Sequence, residues 1–535
     1  MTEGSLGRSP VAPNQLRISN HPTPAPIEGR VLTASTAVTD SHRADGRVPA
    51  TLPVVVQSKV VPSASLPFDL HNYLRPIKTR AGKCFAVIGA SNQNPYALAI
   101  RSPKLNAVIA AHARLRGVVL RKNQLEELNE HLEAHAEQYG ETLEVWLRVA
   151  PVQGGIEIDL GDDLHTHVRI TANKVELIES GSEVVFFRTA NSQAMTHPAE
   201  NGDRRLLDKY LNVDALDALL LVAWITYTLA HPKTPASKYP ILVLRGNEGS
   251  GKTSLCRNVI IRTIDPSSVG VQAFPQNSKD LAIAGLNAHV LCFDNLRSFK
   301  PNMADALCIA ATGGTITTRQ LYTDADQQAI PLHVALVLNG IHSFIDTPDL
   351  SQRCLPIQLK EIDKSKRRSE VALTQEFEAD LPSIMRGLFD LIASVFTNLP
   401  NVTVTDPERM IDFVTWLGAM ELAEGIPAGR YQGLYSDVLR QGQLDTLMDT
   451  PLAAAIITFM DEFQGKVWSD TPSELLTALN RCACRGTQFS RDWPQNAIAL
   501  SKRISGLQAG LLSQGIRIEL SRGKNRKVTM SKVEV

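Results

Sequence analysis

The sequence has no excess of either charge sign, because 55 lysines and arginines balance 55 aspartates and glutamates over 535 residues. A balanced chain carries no whole-molecule signal for nucleic acid or for a membrane surface, so any such signal must be local. The seven cysteines lack the spacing of a disulfide framework. They predict a reducing, cytoplasmic setting.

Long apolar runs are also missing. The most apolar stretch, residues 215–230, is interrupted by Asp217 and leaves 13 uninterrupted residues, whereas a membrane-spanning helix needs about 20. We therefore predict a buried helix there. The chain begins without the basic start, apolar core and cleavage site of a secretory signal, and we find no internal repeats.

Composition and periodicity divide the chain into five parts. Residues 1–65 are rich in Pro, Ser, Thr and Ala without periodicity, which predicts a disordered arm. Helical and alternating patterns over 66–200 predict an α+β domain with a hairpin joined at Gly154-Gly155. The other predicted parts are an α/β nucleotide-binding core (201–360), a helical subdomain (361–450) and a basic, winged-helix-like domain (451–535).

A glycine-rich stretch stands where the apolar run 241–244 gives way to a helix-compatible sequence. Residues 246–253 complete the phosphate-binding loop pattern, with a strand expected before the loop and a helix after it. The glycines let successive N–H groups point at phosphate oxygens. We expect Lys252 to reach the β- and γ-phosphates of ATP and Thr253 to ligate Mg²⁺. The predicted ATP-binding residues are Gly246, Asn247, Glu248, Gly249, Ser250, Gly251, Lys252, Thr253 and Ser254.

Two further apolar runs end in polar residues suited to phosphate chemistry. The run 290–293 precedes Asp294, which we predict to hold Mg²⁺. The run 331–338 precedes Asn339, a side chain able to orient water against the γ-phosphate. Arg353 follows 14 residues later and is a candidate finger for the γ-phosphate of a neighbouring subunit. A salt-bridging surface arginine is the alternative there.

Together these motifs resemble the superfamily-three helicase group of AAA+ ATPases, above all the helicase-like ATPases of phages and other mobile elements. By this resemblance residues 246–253 are motif A, Asp294-Asn295 is motif B, Asn339 is the motif C asparagine and Arg353 is the finger. The flanking segments are similar to those of phage primase-helicases. The resemblance covers about residues 70–535 and is strongest over the core.

Two features of the resemblance concern single residues. The segment 312–322 looks like the group's additional motif, which is associated with a DNA-facing hairpin in the central pore, so Arg319 is a predicted DNA contact. A plain connecting hairpin, turning at 323–328, is equally compatible. The usual motif B carries a second acid where this chain has Asn295. An amide can orient water but cannot accept its proton, so we expect slow hydrolysis or the use of another acid.

The C-terminal end carries a local excess of positive charge. Residues 501–535 contain eight basic and two acidic residues over a predicted helix and wing. Phosphate contacts there would be salt-dependent and largely independent of sequence, although a basic wing is often only a solvated hairpin. The predicted DNA contacts are Lys502, Arg503, Arg522, Lys524, Arg526 and Lys527.

A cluster of carboxylates and histidines over 157–167 leaves two possibilities open. Such a cluster could hold a metal ion for polymerase or nuclease chemistry. Carboxylates in hairpin turns more often satisfy backbone donors. We find no other primase signature in this part of the chain.

The leading hypothesis is a homo-oligomeric, hexameric ring that uses ATP and Mg²⁺ to translocate on single-stranded or forked DNA during replication of a phage or mobile element. The alternative is a nucleotide-switched DNA-binding ATPase that loads or regulates a partner, in replication or phage defence, without unwinding. Asn295 favours this alternative. A metabolic P-loop kinase would explain neither the basic C-terminal wing nor the helical block after the core.

Overall fold

The computed structural model describes most of the chain from Tyr73 onward. The described residues are 73–89, 93–319, 327–340, 344–345, 347–448, 450–490, 493–521 and 526–533. They all lie in one compact unit, Ser65–Val535. The predicted arm, residues 1–65, falls outside them.

Two sheets and two helices form the N-terminal region. Its elements are β1 (Leu74–Lys78), β2 (Cys84–Ile88), β3 (Tyr96–Ala99), α1 (Pro103–Leu115), α2 (Lys122–Tyr139), β4 (Glu141–Thr142), β5 (Val149–Val152), β6 (Gly155–Asp159), β7 (His167–Thr171), β8 (Lys174–Ile178) and β9 (Phe186–Phe187). One sheet has the order β4-β1-β2-β3-β9, and the other is the antiparallel meander β5-β6-β7-β8. The predicted hairpin is confirmed: Val152 pairs with Gly155, and Gly154 takes the left-handed φ of +77° that glycine adopts without steric cost.

A five-stranded parallel sheet forms the centre of the chain. The elements of this part are α3 (Ala215–Ala230), β10 (Ile241–Arg245), α4 (Lys252–Ser254), α5 (Ile261–Ile264), β11 (Gln272–Ala273), α6 (Ser278–Leu286), β12 (Val290–Leu296), α7 (Pro301–Thr312), β13 (Gly314–Arg319), β14 (Gln327–Leu332), β15 (Ala335–Gly340), α8 (Pro348–Ser351) and β16 (Cys354–Gln358). The sheet has the order β11-β12-β15-β10-β16, and a π-helical turn, Leu255–Ile260, joins α4 to α5.

The central strands read as continuous apolar runs because both faces of the sheet are covered. Every residue of β15 is buried, as are the first four of β10. The most apolar stretch forms α3, in which Leu220 to Ala230 are buried, so the predicted buried helix is confirmed. Within the described ranges, no helix combines the length and apolar content that crossing a bilayer requires.

A two-stranded hairpin, β13 and β14, is inserted before β15. The strands are antiparallel, and Arg319 stands opposite Gln327. Pairing therefore already includes residues 327 and 328, which the sequence had placed in the turn. Residues 320–326 lie outside the described part of the chain.

Three helices follow the parallel sheet: α9 (Glu370–Asn398), α10 (Ile411–Glu424) and α11 (Arg430–Met448). The first has 29 residues and contains Pro382. Ion pairs Arg257–Glu370 (3.0 Å) and Arg262–Glu378 (2.7 Å) join it to the helical segment after the glycine-rich loop. Farther along α9, the Ala393 carbonyl accepts a hydrogen bond from the backbone N–H of Asn173, in the turn between β7 and β8. One helix thus contacts both the N-terminal region and the centre.

The C-terminal part packs helices against a small sheet. Its elements are α12 (Pro451–Glu462), β17 (Val467–Asp470), α13 (Pro472–Cys482), α14 (Arg485–Gln488), α15 (Ala497–Ser513), β18 (Ile516–Leu520) and β19 (Val528–Lys532). The antiparallel sheet has the order β17-β19-β18. The sequence pattern predicted the helices and the last hairpin. It missed β17, because that strand is short, mostly exposed and without apolar alternation.

Candidate nucleotide-binding site

The glycine-rich loop directly follows β10 and leads into α4, at the carboxyl edge of the parallel sheet. Gly246, Gly249 and Gly251 have φ values of +151°, +76° and +89°, which side chains rarely tolerate. Asn247, Glu248 and Gly249 form the exposed tip of the loop, whereas Ser250 is buried beneath it. In the first helical turn, the Ser254 hydroxyl accepts a hydrogen bond from Asn258 Nδ2 at 3.0 Å. The local geometry is the strand–loop–helix that the motif requires.

The Lys252 ammonium is folded into the middle of this loop. Its Nζ donates to the carbonyl oxygens of Gly246 (2.7 Å) and Asn247 (2.9 Å), and lies 3.4 Å from Ser250 Oγ. Burial lowers the pKa of Lys252. A buried cation held by neutral acceptors would gain if anionic oxygens replaced them, which is consistent with the phosphate-binding role predicted for Lys252.

Thr253 and Asp294 meet across the loop. The Thr253 hydroxyl donates to Asp294 Oδ2 at 2.6 Å, and the other carboxylate oxygen accepts the backbone N–H of Asn295 at 2.7 Å. The strand β12 does not end at Asp294, as the sequence predicted, but continues to Leu296 through a register shift after Phe293. Asn295 is exposed and takes the left-handed φ of +59°. A hydroxyl and a carboxylate at this spacing fit the oxygen ligands that Mg²⁺ prefers.

Asn339 lies near the end of β15, where it pairs with Leu244 of β10. Its side chain is fully buried, and neither its amide nitrogen nor its amide oxygen has a hydrogen-bond partner among the residues described. An unmet buried amide costs about 1–3 kcal/mol per group. Such a side chain is expected where a ligand completes the hydrogen bonds.

Arg353 lies at the opposite edge of the sheet. It immediately precedes β16, and its carbonyl oxygen accepts the backbone N–H of Ile241 at the start of β10. Its guanidinium is 12% exposed and donates to the carboxylate (2.5 Å) and the backbone carbonyl (2.7 Å) of Asp349. The structure therefore brings Lys252, Thr253, Asp294 and Asn339 together, but it does not bring Arg353 to the same loop.

A cleft of 730 Å³ opens beside Thr253 and Asp294. Its basic side chains are Arg257, Arg297 and Lys300, none of which the sequence motifs identified. Its apolar walls include aromatic rings from two loops, and no periodic pattern in the sequence marks them. Positive charge beside the predicted metal ligands is suited to a polyphosphate.

Asn212 is a second residue that sequence reasoning missed. Its Nδ2 donates to the carbonyl of Ser250 (2.9 Å) and to that of Lys360 (2.7 Å), so it joins the loop to the segment after β16. A single asparagine 34 residues before the loop motif carries no recognisable signal in the sequence.

The predicted DNA contacts are only partly described. Lys502 and Arg503 are exposed on α15, and Arg526 and Lys527 are exposed before β19. Lys527 and Ser521 exchange hydrogen bonds that close the base of the last hairpin. Arg522 and Lys524 lie outside the described residues. For Arg319 the structure describes the backbone, in β13, and not the side chain.

The acidic cluster over 157–167 has protein partners. Arg188 binds Asp159 with both oxygens engaged (2.6 and 2.9 Å), and Glu157 accepts from His167 Nδ1 (3.0 Å) and the Ser182 hydroxyl (2.7 Å). Burial by itself raises the pKa of Asp159, but the Arg188 guanidinium outweighs it, so this pKa is lowered. Across the described ranges, no group of three or more His, Cys, Asp or Glu side chains could hold a metal ion.

Two family models match the chain. One, described as an actinomycete integrative conjugative element replication protein, matches residues 206–441, and the AICE RepA C-terminal domain matches 452–535. These descriptions name a mobile-element replication protein and not the superfamily-three group. None of the curated proteins matches. The two family matches indicate a replication protein of a mobile genetic element, consistent with a role in DNA replication.

Solved structures of the apo NrS-1 C-terminal region are also similar. For one A-form structure, the matched region covers 87% of this chain and 97% of the NrS-1 chain, with a TM-score of 0.38. For a second A-form structure, it covers 70% of this chain and 95% of the NrS-1 chain, with a TM-score of 0.31. Both are 10% identical to the chain.

Proposed function

We propose that the chain is an ATPase of the AAA+ type that uses Mg²⁺ and ATP to drive translocation on DNA during replication of a mobile element. One observation carries the proposal: the buried amide of Asn339 has no partner among the described residues and lies at the sheet edge that bears the loop and Asp294. A structural asparagine would have its hydrogen bonds met within the protein. An asparagine that contacts a nucleotide phosphate or its attacking water would not.

Each site residue has a distinct proposed role. Lys252 would exchange the carbonyls of Gly246 and Asn247 for β- and γ-phosphate oxygens, and the loop N–H groups would hold the phosphates. Thr253 and Asp294 are the oxygen donors that would hold Mg²⁺, which neutralises phosphate charge when bound. Asn339 would orient water at the γ-phosphate.

The remaining parts of the chain supply the proposed DNA contacts. We propose that the hairpin of β13 and β14, which carries Arg319, contacts the DNA strand during translocation. We also propose that the C-terminal part is a winged helix. The element order α12, β17, α13, α14, α15, β18, β19, with its three-stranded antiparallel sheet, supports a winged helix. Exposed Lys502 and Lys527 are suited to phosphate contacts that do not depend on sequence.

A ring, which we propose to be hexameric, would place Arg353 against a neighbour's γ-phosphate. Its position at the sheet edge away from its own loop argues against a role in its own site, whereas its ion pair with Asp349 also fits the alternative of a salt-bridging arginine. To act there with its full fork, its guanidinium would have to leave Asp349, since Nη1 donates both to the carboxylate and to the backbone carbonyl of that residue.

The test is strand displacement from a forked duplex, measured together with ATP consumption. We expect the wild-type chain to unwind in proportion to the ATP consumed. Lys252→Ala should lose at least about 10³-fold in DNA-stimulated turnover, because charge stabilisation at the phosphates is the main catalytic term. Lys238→Ala, which removes an exposed lysine near Asp412, is the matched control and should retain full turnover. Normal turnover by Lys252→Ala would refute the proposal.

A nucleotide-switched regulator that binds DNA without unwinding is the second candidate. Asn295 favours it, because this exposed amide follows the Mg²⁺ ligand and cannot accept a proton. ATP-dependent binding to a fork without strand displacement would support the regulator over the motor.

A further inference from the structure

The Arg367 guanidinium lies against the tip of the phosphate-binding loop. Its Nη2 is 2.9 Å, and its Cζ 3.5 Å, from the point where a Cβ on Gly249 would stand. Gly249 has a φ of +76°, a backbone conformation that favours glycine. A planar cation therefore packs on the exposed side of the loop that the proposed function assigns to phosphates.

The segment that carries Arg367 is fixed to the loop by several contacts. The backbone N–H of Leu359 donates to the Arg245 carbonyl at 2.8 Å, and that of Lys360 donates to the Asn212 carbonyl at 2.9 Å. Farther along, Ile362 Cδ1 is 3.5 Å from the Cβ position of Gly251. These contacts hold the start of the segment, residues 359–362, beside the loop.

The two consecutive arginines in this segment differ in their partners. Arg368 forms an ion pair with Glu376 of α9. Arg367 is exposed, and its guanidinium has neither an ion pair nor a hydrogen bond with any residue that the structure describes, although Glu248 is in the same loop. A guanidinium held in place without an anion can pair with one that arrives with a ligand.

We propose that Arg367 is a catalytic residue that contacts the phosphates of ATP bound to its own subunit. The inference rests on the proposed function and adds a cis arginine to it. The planar fork of guanidinium matches phosphate oxygens in two parallel hydrogen bonds, whereas Lys252 provides a point charge. An arginine supplied within the same chain is a known arrangement for stabilising charge on a transferring phosphoryl group.

Arg353 and Arg367 then have complementary positions. Arg353 is at the sheet edge away from its own loop and is bound to Asp349, and the proposed function assigns it to a neighbour's site. Arg367 lies on its own loop. The two arginines would approach one nucleotide from two different subunits.

The first experiment compares Arg367→Gln with Arg368→Gln as the matched control. We expect Arg367→Gln to lower ATP turnover by about 10³-fold, and to weaken binding of a fluorescent ATP analogue more than binding of AMP. Arg368→Gln loses an exposed surface pair and should stay within about threefold of wild type. Arg367→Lys should recover only part of the loss, because it retains the charge without the fork. Equal melting temperatures without nucleotide would exclude a folding defect.

A mixing experiment separates cis from trans action. Lys252→Ala subunits cannot use their own nucleotide but can donate residues to neighbours. Mixed with Arg353→Gln subunits, they should restore part of the turnover, since each intact loop can receive Arg353 from them. Mixed with Arg367→Gln subunits, they should restore none, because no subunit would have both the loop and its arginine.

The outcomes are distinguishable. If the wild-type chain neither binds nor hydrolyses ATP, the proposed function fails and the inference fails with it. If the wild type is active and Arg367→Gln keeps its turnover, only the inference is overturned. Recovery of turnover in the mixture of Arg367→Gln and Lys252→Ala would also overturn it, because that result requires action on a neighbouring subunit.

Discussion

The β5–β8 meander and the carboxyl edge of the parallel sheet both bury polar side chains, but these side chains differ in whether their hydrogen bonds are met. In the meander, Glu157 and Asp159 are buried, and their carboxylates accept hydrogen bonds from named arginine, histidine and serine donors. At the sheet edge, both amide atoms of Asn339 lack partners in the described part of the chain. Charge and burial alone therefore do not identify a ligand site. The unmet hydrogen bonds of Asn339, at the sheet edge that bears the glycine-rich loop, are the additional observation that supports the proposed site.

The same difference explains why the acidic cluster over 157–167, which the sequence suggested as a possible metal site, does not form one among the described residues. The acidic cluster contains more candidate ligands than the sheet edge, yet its buried carboxylates already accept hydrogen bonds from protein donors such as Arg169 and Arg188. Burial by itself raises the pKa of Glu157, but hydrogen bonds from His167, Ser182 and Arg169 outweigh this and lower it. Nine other buried side-chain atoms in the described residues are also unmet, among them the Tyr435 hydroxyl and His289 Nδ1. The His289 ring is held through its other nitrogen by the Thr228 carbonyl.

The largest expected effect comes from breaking the meander network. Asp159→Ala would leave the Arg188 guanidinium, 12% exposed, without its bidentate partner. Removing one member of a buried ion pair costs about 3–5 kcal/mol, so the free energy of unfolding measured with denaturant should fall by that amount. Glu176→Ala, which breaks an exposed pair with Lys174, should cost less than about 1 kcal/mol.

The network is a structural feature only if activity survives its loss. Folded Asp159→Ala protein should hydrolyse ATP at the wild-type rate per molecule. A loss of turnover at unchanged stability would show instead that the meander takes part in the chemistry.

The next effect concerns two buried asparagines with opposite environments. Asn339→Ala should lower ATP turnover by about 100-fold, because it removes a preorganised polar group at the phosphates. The free energy of unfolding without nucleotide should not fall as it does for a hydrogen-bonded asparagine, since no hydrogen bond within the described structure is lost and removing the unmet amide offsets the cost of the cavity. Steady-state turnover and denaturant unfolding measure the two quantities.

Asn129 is the matched control for this substitution. It is buried, donates to Asn106 Oδ1 and the Leu125 carbonyl at 2.8 Å each, and accepts the backbone N–H of Arg101. Asn129→Ala should therefore destabilise the chain by about 1–3 kcal/mol with turnover unchanged. If the two variants behaved alike, unmet hydrogen bonds would not distinguish a ligand site from a structural one.

The smallest effect is expected at the surface, where water satisfies an unpaired charge. Lys502 is exposed and has no ion pair with the residues described. Because water satisfies its charge, it is weaker evidence for a binding site than the buried amide of Asn339. Lys502→Glu should weaken DNA binding severalfold and reduce the slope of log affinity against log salt by about 1. Lys174→Glu, at a lysine paired with Glu176, should leave that slope unchanged. Titrations at several salt concentrations would show the difference.

Residues in short motifs could be predicted from the sequence. The loop, Asp294 and Asn339 are each marked by an apolar run that stops at a polar residue, and the structure brings them together. Strand order could not be predicted, because β10 pairs with strands that lie about 90 and 110 residues later in the chain. The extension of β12 past Asp294 was missed for a local reason: a register shift lets polar residues continue in a strand that began as an apolar run.

Residues that act singly were not predictable. Asn212 and Arg367 come from the segments that precede and follow the strands of the parallel sheet in the chain, and neither belongs to a pattern of spacing. The arginine pair at 367 and 368 looks uniform in sequence. Only the fold shows that one of them is bound to Glu376 and the other lies on Gly249.

The long helix α9 has a mechanical consequence. Its 29 residues span about 43 Å, and they join Glu370 and Glu378, which hold the helical segment after the loop, to Ala393, which holds the β7–β8 turn. Pro382 lies between these two sets of contacts, and a proline is where a long helix bends most readily. Because α9 contacts both the helical segment after the glycine-rich loop and the β7–β8 turn, a movement of one end of the helix would be transmitted to the region at its other end.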